Sequence, residues 1–274
     1  MVHVDSVHTP GTIGVPIGSL ARYLATFSSL DKLKVPAGTP PVLYAEGVNV
    51  AHNCNTLVEH MTGDWLFIMG DDHRFRDDLL LNLLDRQVDV IVPVVSRRGI
   101  PFQTVLYQSS ALDGSAYMTY SWADISRHSP NGGLLPVDAA GTAGMLIRKV
   151  VLDAIPKPWF EWTNKISEDI GFCLKVRKAG YGILADLDQK MSHLTTCDLE
   201  PYRDKNGQWD VCVNIGGRRV SLLNTPWEGK DMRETTYASK AGVGMAWDEP
   251  AINQPVRAAG SSPLSDAGEE RCKT

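Results

Sequence analysis

Five consecutive apolar residues, Trp65 to Met69 (WLFIM), run straight into Gly70-Asp71-Asp72-His73, and this junction constrains the chain more than any other feature. A run with no polar alternation reads as a strand buried on both faces, which requires helices on both sides of a sheet. Two carboxylates and an imidazole at its carboxyl end put polar chemistry where open α/β sheets form their sites.

The flanking sequence repeats the alternation of strand and helix. Thr12 to Pro16 (TIGVP) reads as a buried strand, and Leu20, Tyr23, Leu24, Phe27 and Leu30 follow at helical spacing. Val42 to Tyr44 predicts another strand, and Ala51, Cys54, Leu57, Val58 and Met61 mark one helix face, with Gly63 placed to stop it. A helix around Asp78 to Leu84 leads into the β-branched run Val88 to Val95. Gln108 to Pro136 has no sustained period and reads as loops over a site. Val150 to Ile155 predicts a short helix, Ser167 caps a helix running to about Ala179 with Gly180 as its stop, and Gly182 to Asp186 returns as a strand. Gln208 to Ile215 and Arg218 to Leu223 flank Gly216-Gly217 as a β-hairpin. Beyond about Ala241 the composition is that of a poorly ordered tail.

At 274 residues, 43% hydrophobic and 22% charged, the chain can bury one large core. A net charge of -5 gives no bulk reason for coating nucleic acid. Five cysteines without a CxxC pair fit neither a disulfide framework nor a zinc ribbon, so a reducing compartment is expected. With no signal-like amino terminus and no apolar run of membrane-spanning length, the expectation is a soluble, cytoplasmic protein.

Three constellations carry candidate chemistry. Gly70-Asp71-Asp72-His73 reads either as a divalent-cation site or as a solvated turn capped by an aspartate. Ser167-Glu168-Asp169 reads either as a helix cap with first-turn acids or as carboxylates projecting into a cleft to bind or deprotonate a hydroxyl. His193 gains meaning only if it approaches Asp72, where imidazole completes a mixed metal shell.

In order and spacing these motifs resemble the GT-A glycosyltransferases, especially their family-two-like group, over roughly residues 12–196. GDWLFIMGDDHRF looks like that family's strand and DXD motif, with Gly70 standing where the first aspartate usually lies. VDAAGTAGMLIRKVVLDAIPKPWFEW resembles its glycine-containing sugar loop and PWF signature, and SEDIGFCLKVRKAGYGILAD its acidic helix start. The resemblance implies a GT-A, Rossmann-like mixed sheet flanked by helices, over residues 1–235. Its nucleotide-binding half would be about 1–107 and its acceptor half about 108–235, with a C-terminal hairpin and a flexible tail over 236–274.

It further implies a nucleotide-sugar co-substrate and manganese or magnesium held by Asp72 and His193, with His73 nearby. A register shifted by one makes Asp71 and His73 the pair. Asp169 is the implied catalytic base and Glu168 the supporting carboxylate. Pro16, Asn53, Asp71, Gly141 and Gly144 would bind the donor, although His52 replaces the arginine common beside Asn53. Trp159 and Phe160 would offer an apolar surface to the acceptor, or else anchor the core. The acceptor could be a glycan, lipid, protein, small molecule or hydroxymethylated DNA base. Arg97, Arg98, Arg218 and Arg219 could contact phosphates, though paired arginines on loops are usually solvated. A nucleotidyltransferase and a non-catalytic carbohydrate-binding module on the same fold are the alternatives.

Overall fold

The computed structural model describes residues 1–18, 23–98, 102–109, 117–128, 132–163, 166–203, 209–215 and 218–221. The amino-terminal elements are β1 (Val2–Val4), β2 (Thr12–Ile17), α1 (Leu24–Lys32), β3 (Lys34–Pro36), β4 (Leu43–Glu46), α2 (Val50–His60) and β5 (Trp65–Ile68). Then come β6 (His73–Arg74), α3 (Leu79–Asp85), β7 (Val90–Val94), β8 (Leu106–Ser109), β9 (Tyr117–Thr119), α4 (Trp122–His128) and β10 (Leu134–Val137). The remainder is β11 (Ala139–Ala140), β12 (Met145–Arg148), α5 (Lys149–Ala154), α6 (Glu168–Lys178), β13 (Ile183–Lys190), β14 (Ser192–His193), β15 (Asp198–Arg203), β16 (Trp209–Ile215) and β17 (Arg218–Ser221).

Seven strands form the main sheet in the order β10-β13-β7-β12-β5-β2-β4. The pairs β2·β4, β2·β5 and β7·β13 are parallel, while β12 lies antiparallel between β5 and β7 and β10 closes one edge antiparallel to β13. The apolar strands are buried on both faces, as their unbroken hydrophobic runs require. In β5, Leu66 and Ile68 join the core beneath α2, α5 and α6, while Trp65, Phe67 and Met69 join the core beneath α1 and α3. The result is a mixed α/β architecture of helix, sheet and helix layers.

Topology places the functional candidates on one edge. The carboxyl ends of β2, β5 and β7 share an edge with the amino end of antiparallel β12. Helix α2 leads into β5 and α6 leads into β13 through short connections, so both helices run back along the sheet and start at that same edge. Gly18, Asn49, Gly70 to His73, Ser96, Gly141 to Gly144 and Glu168 therefore cluster at one end of the molecule.

Several expectations change. The stretch from Gln108 to Pro136 is not all loop: it carries β9, α4 and β10. Helix α4 buries none of its residues, so it has no apolar stripe for periodicity to reveal. The strand expected to stop at Asp186 continues to Lys190, through a register shift after Asp186. The hairpin strands β16 and β17 pair antiparallel with Ile215 opposite Arg218, and β15 adds an unexpected third strand. Residues 216–217 and the tail from 236 lie outside the described residues.

Gly144 shows how tightly this edge is built. Its φ is +74°, its amide donates to the Ile68 carbonyl at 2.8 Å, and a Cβ there would lie 2.5 Å from Met191 Sδ and 2.7 Å from Pro93 Cγ. The lack of a side chain at Gly144 serves close packing against β5, β7 and Met191, which follows β13. Gly144→Ala is expected to destabilise the protein by about 1–3 kcal/mol or more, since left-handed strain adds to the clash. An unchanged urea midpoint would contradict that.

Candidate functional site

At the end of β5 the chain turns through Gly70-Asp71-Asp72 and re-enters an extended form at His73, which pairs antiparallel with His193 in β14. The Leu194 amide donates to the Asp72 carbonyl at 2.8 Å, locking the two segments together. This brings Asp72, His73 and His193 into one cluster whose candidate ligand atoms all lie within 4.8 Å of one another. The two imidazoles stack, with centroids 4.3 Å apart and planes 24° apart. A Cβ at Gly70 would stand 2.7 Å from His73 Nδ1 and 3.1 Å from Asp72 Oδ1. The His73 ring thus takes the space a side chain at position 70 would need, which accounts for glycine there.

The hydrogen bonds determine what His193 presents. Its Nδ1 is 2.9 Å from the Ser96 carbonyl, which can only accept, so Nδ1 carries the proton. As a neutral ring it turns the Nε2 lone pair toward Asp72 Oδ2, 3.2 Å away, and as a protonated ring it donates there. Two acceptors facing each other are reconciled by a proton or by a cation between them. A backbone carbonyl that orients the remote nitrogen is also the usual support of a metal-ligating histidine.

His73 is 3% exposed, and its Nδ1 lies 2.8 Å from Asp72 Oδ1, but neither ring nitrogen makes a well-angled hydrogen bond. Such orphaned buried nitrogens beside a carboxylate fit a divalent cation of mixed nitrogen and oxygen preference. Burial would push the Asp72 carboxyl up, but the His193 and His73 rings, where they carry a proton toward it, hold it well below the usual carboxylate range. Arg98 Nη1 also approaches Asp72 Oδ2, at 3.2 Å.

The second group stands at the start of α6. Ser167 occupies the cap position, but its hydroxyl donates to Asp169 Oδ1 and makes no capping bond to the helix backbone. The same Asp169 oxygen accepts the Ile170 amide at 2.7 Å. Glu168 is 8% exposed, and its Oε2 has no hydrogen-bond partner. Burial, with the neighbouring Asp169 charge, pushes the Glu168 carboxyl up to about 7. Cys54 on α2 lies close enough that both carboxylates, after burial, help to raise its thiol. A Cβ on Gly141 would lie 3.9 Å from Asp169 Oδ2, so the glycine loop borders that carboxylate.

One segment joins the two groups. Ser96, whose carbonyl orients His193, bridges to Thr104; Val105 donates its amide to Val95, and Gly141 donates its own to Val105, at 3.1 and 3.0 Å. The metal-like cluster and the α6 carboxylates are thus attached to the same backbone ladder. A separate groove of about 550 Å³ lies between α1 and β6, lined by residues including Ser28, Lys32, Lys34, Arg74 and Phe75. It shares no residue with either group.

Other expected residues fall into different places. Asp71 Oδ2 accepts the Gly18 amide at 3.3 Å, which ties the motif to the end of β2, where half-buried Pro16 pairs with Ala45. Asn53 is 2% exposed and donates from Nδ2 to the Gly47 carbonyl at 2.9 Å, while its Oδ1 is buried without a hydrogen-bond partner. His52 is exposed in the first turn of α2. Trp159 and Phe160 are core residues: Trp159 Nε1 donates to the Leu152 carbonyl at 2.9 Å, and Phe160 stacks on Phe172. The aromatic that this loop exposes is Trp162. Arg218 and Arg219 are placed only as backbone in β17.

Sequence reading missed Asn55, whose side chain clamps the Phe160 backbone by donating to its carbonyl at 2.8 Å and accepting its amide at 3.0 Å. It also missed the Ser96 carbonyl, which carries no signal in residue type. Arg97 and Arg98 were weighed as phosphate contacts against solvated cations, and the pair parts company: Arg97 reaches the Tyr107 hydroxyl at 3.0 Å while Arg98 reaches Asp72.

No protein-family model matches the sequence, and no curated protein matches it. Among solved structures, the chain is similar to A197 from STIV, with 14% identity and a TM-score of 0.44 over 72% of this chain and 92% of that one. It is also similar to GalNAc-T7, solved with UDP, GalNAc and Mn2+, with 12% identity and a TM-score of 0.43 over 72% of this chain and 45% of that one. Both are likenesses of overall fold, and this chain spans less than half of the second protein's length.

Proposed function

We propose that this chain is a metal-dependent glycosyltransferase that moves a sugar from a nucleotide donor to an acceptor hydroxyl. The observation that carries this reading is the position of His193 Nε2, oriented by the Ser96 carbonyl and 3.2 Å from Asp72 Oδ2 at the carboxyl edge of the sheet. Asp72, His193 and His73 are the residues that would hold manganese or magnesium. The cation would supply positive charge to stabilise the departing nucleoside diphosphate.

Asp169 is the proposed general base. Glu168 keeps its proton up to about pH 7, which leaves half-buried Asp169, bordering Gly141, to take the hydroxyl proton. Asp71, whose carboxylate accepts the Gly18 amide at the end of β2, is the proposed contact to the donor's nucleoside. Exposed Trp162 takes over the acceptor-facing role first given to Trp159 and Phe160.

Incubation with a panel of nucleotide sugars and Mn2+, read by mass spectrometry of the released nucleotide, tests the class. Nucleoside diphosphate is the expected product, and pyrophosphate would indicate nucleotidyl transfer instead. Asp72→Ala and His193→Ala should each weaken Mn2+-dependent donor binding, and full donor affinity in EDTA would defeat the metal assignment. Asp169→Asn should fold and bind donor yet lose about a hundredfold or more in turnover. As a first-turn acid alone it would cost only about 0.3–1 kcal/mol of stability and leave turnover intact.

Glu168 has its own signature. Its ordinary value is 4.5 and its folded value about 7, so between those pH values the unfolded chain binds fewer protons than the native one. Stability from this group is complete below about pH 4.5 and is lost as pH rises through 7. Relative to wild type, Glu168→Gln should therefore gain stability over that window, by about 3 kcal/mol at most, and gain no more above it. Urea melts at pH 5, 6, 7 and 8 measure it; parallel curves would contradict the assignment.

A further inference from the structure

We infer that Arg98 is a phosphate-binding residue of this site, held on Asp72 until a divalent cation takes its place there and then turned to the phosphoryl oxygens of the diphosphate. The inference rests on the metal and diphosphate part of the function proposed above, not on which group the diphosphate leaves.

The argument begins at one oxygen. Asp72 Oδ2 lies 3.2 Å from His193 Nε2 and 3.2 Å from Arg98 Nη1. The position a cation would take between Asp72 and His193 is thus next to a fixed positive charge. A divalent ion and a guanidinium cannot share that oxygen without strong repulsion, so metal binding releases the arginine.

Its freedom to leave is visible in its surroundings. Arg98 is half exposed, and Asp72 is its ion-pair partner among the described residues. The neighbouring cations are otherwise engaged or face elsewhere. Arg97 bonds the Tyr107 hydroxyl and lies over the Tyr107 ring, with 5.7 Å to its centroid, while Arg74 lines the separate groove against α1. Arg98 is therefore the guanidinium, among the described residues, that is released beside the cluster as an anion arrives. Its planar fork suits two phosphoryl oxygens at once, which a lysine would not reproduce.

The two halves of the inference predict shifts of opposite sign in one variant. Calorimetric titration with Mn2+ alone should show Arg98→Gln binding about threefold to tenfold more tightly than wild type, because a competing cation is gone. Titration with the Mn2+–pyrophosphate complex should show it binding about tenfold more weakly, because the fork is gone. Arg97→Gln should leave both within twofold. The exposed position of Arg98 makes folding of the variant checkable by an unchanged thermal melt.

Unchanged pyrophosphate affinity in Arg98→Gln, weaker Mn2+ binding by it, or no Mn2+ binding by the wild-type protein would each overturn the inference. If both shifts hold while no nucleotide sugar is turned over, the glycosyl-transfer reading falls and the role of Arg98 stands.

Discussion

Strand β12 pairs with both β5 and β7, and the site's geometry depends on that insertion. An antiparallel strand at the centre of otherwise parallel neighbours starts where they end. Its approach loop, Gly141 to Gly144, is thereby forced onto the same edge as the carboxyl termini of β5 and β7. The register is held on both sides, with Met145 to Arg148 set against Ile68 to Trp65 and Leu146–Ile147 against Ile91–Val90. A slip of one residue would turn every core side chain of β12 to the wrong face, so burial on both faces protects the register. The distance between the acidic turn and the glycine loop is consequently a property of the sheet and not of flexible loops.

On that rigid edge the electrostatics separate into two kinds of acid. Asp72 is surrounded by groups that favour its charge, with two imidazoles and a guanidinium within 3.2 Å. Glu168 is buried beside a second carboxylate, and burial and that charge favour its proton. Their surroundings thus push the two carboxyl groups in opposite directions. The free thiols of Cys54 and Cys173 are buried in the same region, and burial pushes the Cys173 thiol up to about 12, so they behave there as small core residues.

Much of this was legible in residue patterns, for identifiable reasons. β5 was readable because WLFIM has no polar position, and α2 because Ala51, Cys54, Leu57 and Val58 all face the core. Gly63 and Gly180 take positive φ just beyond α2 and α6, as their places in the sequence suggested. The convergence of Asp72 and His193 was foreseen from motif order, and the structure brings them to 3.2 Å. What stayed hidden depends on contacts that leave no trace in residue type. Helix α4 buries no residue and has no stripe, the Ser96 carbonyl is backbone, and nothing in residue type says that the Asn53 amide braces the turn at Gly47. The two tryptophan and phenylalanine rings after Lys157-Pro158 could stack on a sugar or fill a core, and only packing against Leu152 and Phe172 decides between these.

The way β14 reaches β6 has a consequence for the order in which the protein is made. His193 lies 121 residues after Asp72, and its backbone reaches that turn only once β13 has docked on β7 and the Met191 amide has bonded Val94. A nascent chain that has emerged as far as α3 already carries Asp72 and His73 but lacks their third companion. Closing so long a loop comes late, because its entropy must be met by contacts formed beforehand. The cluster therefore forms only after His193 has been made, and a protein truncated before β14 would keep its acidic turn without the His193 imidazole.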